Sequence, residues 1–187
     1  MRKKINVFIG LFVFTALLAI AAVAYNRIGN RTDAPDNLLL IEAVTDEPRE
    51  TAYDFTVHDV DGNEVRLSDF FGRPIVLNFW TTWCPSCVQS SPYFEQLYRE
   101  MGDDIHMLKI NLPGGRETRQ AVDDFIAANG YTLPVYFDAI GEAARAYSIR
   151  AIPDTVFINA DGNIIARIVG AINESTLQEA VSLLLSQ

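Results

Sequence analysis

The sequence predicts an α/β fold in which a central mixed β-sheet is flanked by helices on both faces, led by an N-terminal β-hairpin and one N-terminal transmembrane helix. Three observations carry this reading. From residue 52 onward, short apolar or alternating runs take turns with segments of helical spacing, the mark of strands interleaved with crossover helices. Asp-Gly-Asn stands at 61–63 and again at 161–163 between strand-like runs, a hairpin signature each time. Residues 5–24, INVFIGLFVFTALLAIAAVA, contain no charge, and a helix of that length spans roughly 30 Å of hydrocarbon.

The elements follow in order. YDFTVHDV and EVRLSDF flank the first Asp-Gly-Asn as a hairpin, and PIVLNFW (74–80) is a continuous apolar run of the buried parallel-strand type. From Cys84 to about Met101 the spacing of Phe94, Leu97 and Tyr98 is helical, with Pro92 expected to kink the helix. DIHMLKINL (104–112) reads as a second buried strand. Val122, Phe125 and Ile126 share a helical face over 117–130, which stops at Asn-Gly. PVYFD (134–138) is a short strand and GEAARAYSI a short helix. DTVFINA (154–160) and NIIARIV (163–169) form an antiparallel hairpin, and a closing helix follows a capping box of Ser175 and Gln178. The two turns do not belong to an internal repeat, because the sequence around them differs.

A chain of 187 residues with 49% hydrophobic residues holds one core-forming domain plus an appendage. Its organisation reads as a cytoplasmic N-terminus (1–4), a transmembrane anchor (5–24), a linker (25–51) and a globular domain (52–187). Arg2, Lys3 and Lys4 precede the apolar run, so the positive-inside rule puts the domain outside the cytoplasm on a single-pass anchor in the cell membrane. A cleaved signal peptide is the competing reading, since Ala22-Val23-Ala24 has a cleavage-site form. In the linker, LLLIEAV could dock on the domain as a short strand or helix. The net charge of −9 argues against a nucleic-acid partner.

The chain's two cysteines, Cys84 and Cys87, lie in FWTTWCPSCVQSSP, where a strand ends and a helix begins. At that place a sulfur faces unpaired backbone N–H groups and the positive end of the helix dipole, which stabilise a thiolate. Pro85 suits the first helical position because it has no N–H to leave orphaned. Cys87 is one turn on, within reach of a mixed disulfide formed at Cys84, and is expected to be the less exposed thiol. Other uses of the pair are weaker. A structural disulfide closing so short a loop removes little chain entropy. A metal site needs more ligands than the isolated His58 and His106 offer, so neither metal nor organic cofactor is called for. A peroxiredoxin-like thiol peroxidase fits the early hairpin and Thr81, yet Leu77 stands where that motif has proline. A binding module without catalysis remains the competing class.

The WCPSC motif at a strand-to-helix junction, with Ile152-Pro153 just before a strand, resembles the thioredoxin fold. More narrowly, FTVHDVDGNEVRLSDFFGRPIVLNFWTTWCPSC, the helical insert around 115–130 and AIPDTVFINADGNII make residues 52–187 similar to the TlpA/ResA-like membrane-anchored thiol-disulfide oxidoreductases. The resemblance implies a redox-active disulfide between Cys84 and Cys87, and a cis Ile152-Pro153 bond that presents backbone to a substrate peptide. It implies Trp83 as an apolar wall beside the thiols, with Pro85 and Ser86 tuning their potential. It also implies protein thiol or disulfide substrates, an activity of protein-disulfide reductase type, and electrons from a CcdA/DsbD-like membrane donor. The domain is expected to act as a monomer. Three positions depart from related patterns. Asn78 stands where thioredoxin proper has a buried Asp, Ser90 where ResA-like proteins carry Glu, and Asp154 where the family has Thr or Ser. Asn78 cannot take a proton from Cys87, so its proton acceptor is unassigned, while Asp154 reads either as a solvated acid at a strand start or as a carboxylate placed near the site.

Overall fold

The computed structural model describes residues 50–187, so the apolar run of 5–24 and the LLLIEAV patch lie outside the described residues. The chain order is β1 (Thr56–His58), β2 (Glu64–Arg66), a 3₁₀ turn (Leu67–Phe70), β3 (Ile75–Trp80), α1 (Pro85–Met101), β4 (His106–Asn111), α2 (Arg119–Asn129), β5 (Val135–Phe137), α3 (Glu142–Ala146), β6 (Asp154–Ile158), β7 (Ile164–Val169) and α4 (Glu174–Leu185). Every strand expected from residue 52 onward is present. The sheet runs β2-β1-β5-β4-β3-β6-β7. Its centre, β3, β4 and β5, is parallel, while β1 joins β5, and β6 joins β3, in antiparallel fashion. This is the mixed sheet that short apolar strands and intervening helices dictate. Ahead of β1, Thr51 bridges Asn163 and the amide of Ala52 donates to Gly162 O, so these residues lie against the second hairpin.

Alternation along β3 sorts its buried residues into two layers. Val76 and Trp80 face α1, α2 and α4, in a core that includes Phe94, Val122, Phe157, Leu177 and both cysteines. Ile75, Leu77 and Phe79 face the other side, with Leu67, Ala143 and Tyr147. Helices therefore cover both faces.

One local detail differs from the sequence reading. The closing helix is capped by Asn173, whose Oδ1 accepts the Thr176 amide at 2.9 Å, and Ser175 Oγ donates to the same oxygen. Asn173 reaches the third helical amide, so the helix starts before the expected Ser175 box. Helix α1 is continuous through Pro92. Two hydroxyls on the turn before it bond back to carbonyls four residues earlier, Ser90 Oγ to Ser86 and Ser91 Oγ to Cys87, both at 2.9 Å. Helix α2 ends as expected: Gly130 takes φ 63°, the left-handed conformation that a C-terminal cap requires.

Candidate active site

β3 ends at Trp80, and the chain turns through residues 81–83 into α1, so Cys84 becomes the N-cap and Pro85 the first helical residue. A cap residue offers its side chain to the first free amides of the helix. Here Cys84 Sγ accepts the Cys87 N–H at 3.2 Å, and Ser86 Oγ stands 3.4 Å away. A disulfide joins Cys84 to Cys87, with Cα atoms 5.2 Å apart. Cys84 is 4% exposed and Cys87 1%, which leaves Cys84 as the sulfur nearer the surface.

The segment before β6 completes the site from far away in sequence. The Ile152-Pro153 bond is cis, and the Ile152 carbonyl oxygen lies 3.7 Å from Cys84 Sγ. Pro153 O is engaged by the Gly170 amide at 2.8 Å, which fastens this segment to the end of β7. Trp83 is 45% exposed beside the cysteines, and its indole lies 3.9 Å from where a Cβ on Gly115 would sit. Trp83 thus forms an accessible apolar surface next to a buried disulfide, whereas Trp80 is wholly core.

The three departing positions are all buried. Asn78 faces the cysteine layer and donates to Thr155 Oγ1 at 3.0 Å across β3 and β6. Ser90 is engaged twice, donating to Ser86 O and accepting the Ile172 amide at 3.2 Å. Asp154 corrects both readings, being neither solvated, at 1% exposure, nor beside the thiols. It pairs in register with Phe79, so strand alternation turns its side chain toward the opposite layer. There Arg167 holds it with two hydrogen bonds, of 2.9 and 2.6 Å, while also donating to Tyr147 O.

Two functional neighbours were not singled out from sequence. Glu117, counted as the first residue of a helix, precedes the N-cap Thr118 and turns back to the site. Its carboxylate accepts the Thr82 amide at 2.9 Å and the Thr82 hydroxyl at 2.7 Å, and also accepts from Asn111 Nδ2. It ties the loop before Cys84 to β4. Lys109, in the middle of buried β4, donates to Ser91 Oγ at 2.8 Å, and burial lowers its pKa to about 7. A lysine inside an apolar strand run was the available signal. His58 lies in β1, and His106 in β4 accepts from Arg73 Nε at 3.0 Å. Among the described residues no group of three or more His, Cys, Asp and Glu converges.

The Redoxin family profile matches residues 47–184, which takes in the whole sheet and both cysteines. The chain belongs to the Redoxin family. This Redoxin chain is 33% identical over 171 residues to the thiol-disulfide oxidoreductase ResA of Oceanobacillus iheyensis, covering 89% of this chain and 85% of that one. Against ResA of Bacillus subtilis the identity is 27% over 186 residues, covering 98% and 96%. The crystal structure of StoA from Bacillus subtilis superposes with a TM-score of 0.61 at 30% identity, covering 70% of this chain and 97% of that one. The fold is thioredoxin-like, and the chain is a thiol-disulfide oxidoreductase of the ResA/StoA type, with the Cys84–Cys87 pair at its centre. Peroxidase and non-catalytic binding readings are not favoured.

Proposed function

We propose that this Redoxin chain is a protein-disulfide reductase held outside the cytoplasm by residues 5–24 and acting through Cys84 and Cys87. The observation that carries the reading is the position of Cys84: its sulfur accepts a helix amide, faces the Ile152 carbonyl beside Pro153, and is flanked by exposed Trp83. In the reduced protein, Cys84 thiolate attacks a target disulfide, forming a Cys84–target bond and releasing one target sulfur as thiolate. Cys87 thiolate then attacks Cys84 Sγ, the second target sulfur leaves, and the Cys84–Cys87 disulfide is restored. Two electrons pass from the dithiol to the target. The helix amide stabilises Cys84 both as attacking thiolate and as the group displaced in the reverse direction.

An extended target segment would lie along Ile152-Pro153 with its apolar side on Trp83, a mode of recognition that uses backbone hydrogen bonds and one side-chain wall. The charge-free run behind Arg2, Lys3 and Lys4 supports the anchor and its orientation. A reductant on the oxidising side must be recharged through the membrane, the role of a CcdA/DsbD-like donor. Replacing Cys87 with Ser in cells should leave target proteins covalently attached to Cys84. Absence of any attached protein under both oxidising and reducing growth would contradict this function.

A further inference from the structure

Lys109 occupies the centre of β4, between β3 and β5, and is 1% exposed. Alternation with Met107 puts it in the layer of Trp80, Phe94, Cys84 and Cys87. Its Nζ lies 4.3 Å from the ring centroid of Trp80 and 5.4 Å from that of Phe94. Its one hydrogen-bond partner among the described residues is Ser91 Oγ, at 2.8 Å, and Ser91 donates onward to the Cys87 carbonyl at 2.9 Å. Two consecutive hydrogen bonds therefore connect the amine to the backbone of the resolving cysteine.

An ammonium has three N–H donors and a full charge, and this site gives it one oxygen and no carboxylate within ion-pair distance. Ring faces recover part of the lost hydration and leave two donors unused. A neutral amine fits better, and it carries a lone pair. Among the described residues no charged group opposes or assists it, and burial is the cause of its lowered pKa.

Other acceptors near the dithiol are already committed. Asn78 is an amide, and Ser90 is bonded on both sides. Glu117 is held by Thr82 and Asn111, and Asp154 is in the opposite layer with Arg167. The groups around Lys109 are Asn78 and Trp80 on β3, Val135 on β5, and Ser91 and Phe94 on α1, which stand four and seven residues beyond Cys87 and so share its helix face. Phe125 of α2 reaches the same place through Trp80. Glu95, the acidic residue buried on α1, spends its oxygens on Thr132, Leu133 and Arg99.

We propose that Lys109 is the proton acceptor for the Cys87 thiol in the exchange cycle. The Cys87 S–H proton moves to the Nζ lone pair, giving an ammonium and a thiolate. The thiolate forms the Cys84–Cys87 bond as the Cys84–target bond breaks, and the departing target thiolate takes up the proton released from Nζ. In the opposite direction the ammonium reprotonates Cys87. The inference rests on the dithiol exchange reading above and adds the group which that reading lacks.

The test uses the reduced full chain in detergent and an aryl disulfide that loads a chromophoric thiol onto Cys84. Release of that second thiol reports attack by Cys87 in a single turnover. The wild-type release rate should rise with an inflection near pH 7. Lys109→Met, close in shape and without the amine, should move the inflection upward, and for every pH step of one by which it rises the rate at neutral pH falls roughly tenfold. Loading of Cys84 should be unchanged, and the thermal midpoint equal or higher, since a buried amine has been removed. Lys109→Arg supplies charge without a usable lone pair and should not restore the rate. An unchanged profile in the Met variant, or full rescue by Arg, would overturn the acceptor role. A wild-type chain that loads but never releases would overturn the exchange reading and this inference with it.

Discussion

Glu117 offers a sharp test of how the site is held. Replacing it with Ala removes three hydrogen bonds to one carboxylate, from the Thr82 amide, the Thr82 hydroxyl and Asn111. Bonds to a charged acceptor contribute about 1.5–3 kcal/mol each when fully buried. Thr82 and Glu117 are half-buried, so water replaces part of what is lost, and about 1 kcal/mol each is the appropriate scale. The expected loss is about 2–3 kcal/mol in urea unfolding of the oxidised chain. Glu117→Gln keeps an acceptor for the Thr82 amide and should lose about half of that. The local readout is hydrogen exchange: the Thr82 amide should lose its protection while those in central β3 keep theirs. Because the loop leads directly to Trp83 and Cys84, the rate of disulfide reduction should fall several-fold through loss of positioning. A Glu117→Ala chain within about 0.5 kcal/mol of wild type, with Thr82 still protected, would refute the claim that this carboxylate holds the loop.

Arg167→Ala leaves the Asp154 carboxylate, whose side chain is 2% exposed, without its partner, and should cost about 3–5 kcal/mol in urea unfolding. The double variant Arg167→Ala/Asp154→Ala should recover most of that, and a double variant as unstable as the single one would contradict the pairing. For Lys109, the ordinary value of 10.5 falls to about 7 in the folded chain. Between those values the unfolded state binds more protons, so stability should rise with pH, by up to about 1.4 kcal/mol per pH unit. Urea midpoints of the oxidised protein from pH 7 to 9.5 should show this rise, and Lys109→Met should abolish it.

Much of the fold was legible because its signals are local. Continuous apolar runs, Asp-Gly-Asn turns and a glycine after an amphipathic stretch correspond to β3, the two hairpins and the Gly130 cap. The cysteine site was also legible, since a Cys-Pro-Ser-Cys run at a strand end puts the first cysteine at a helix cap. What could not be read were directions of side chains that depend on register. Asp154 stands one residue from Pro153, yet its pairing with Phe79 sends it to the opposite layer. Glu117 looked like part of a helix because acidic residues are common in first turns, and only the fold brings it against Thr82, 35 residues away. Lys109 was hidden inside a run of strand residues whose apolar majority suffices for the assignment. Its opposite number in the sheet is Asn78, so the two positions bearing on the unassigned proton acceptor are neighbours.

The central claim is that Cys84 and Cys87 exchange disulfides with a substrate, with Cys84 attacking. Insulin-disulfide reduction by the full chain, wild type beside Cys84→Ser, tests it most directly. The account predicts reduction by wild type in the presence of a small-molecule thiol donor and none above the donor's own background by Cys84→Ser. Equal activity of the two chains would contradict it.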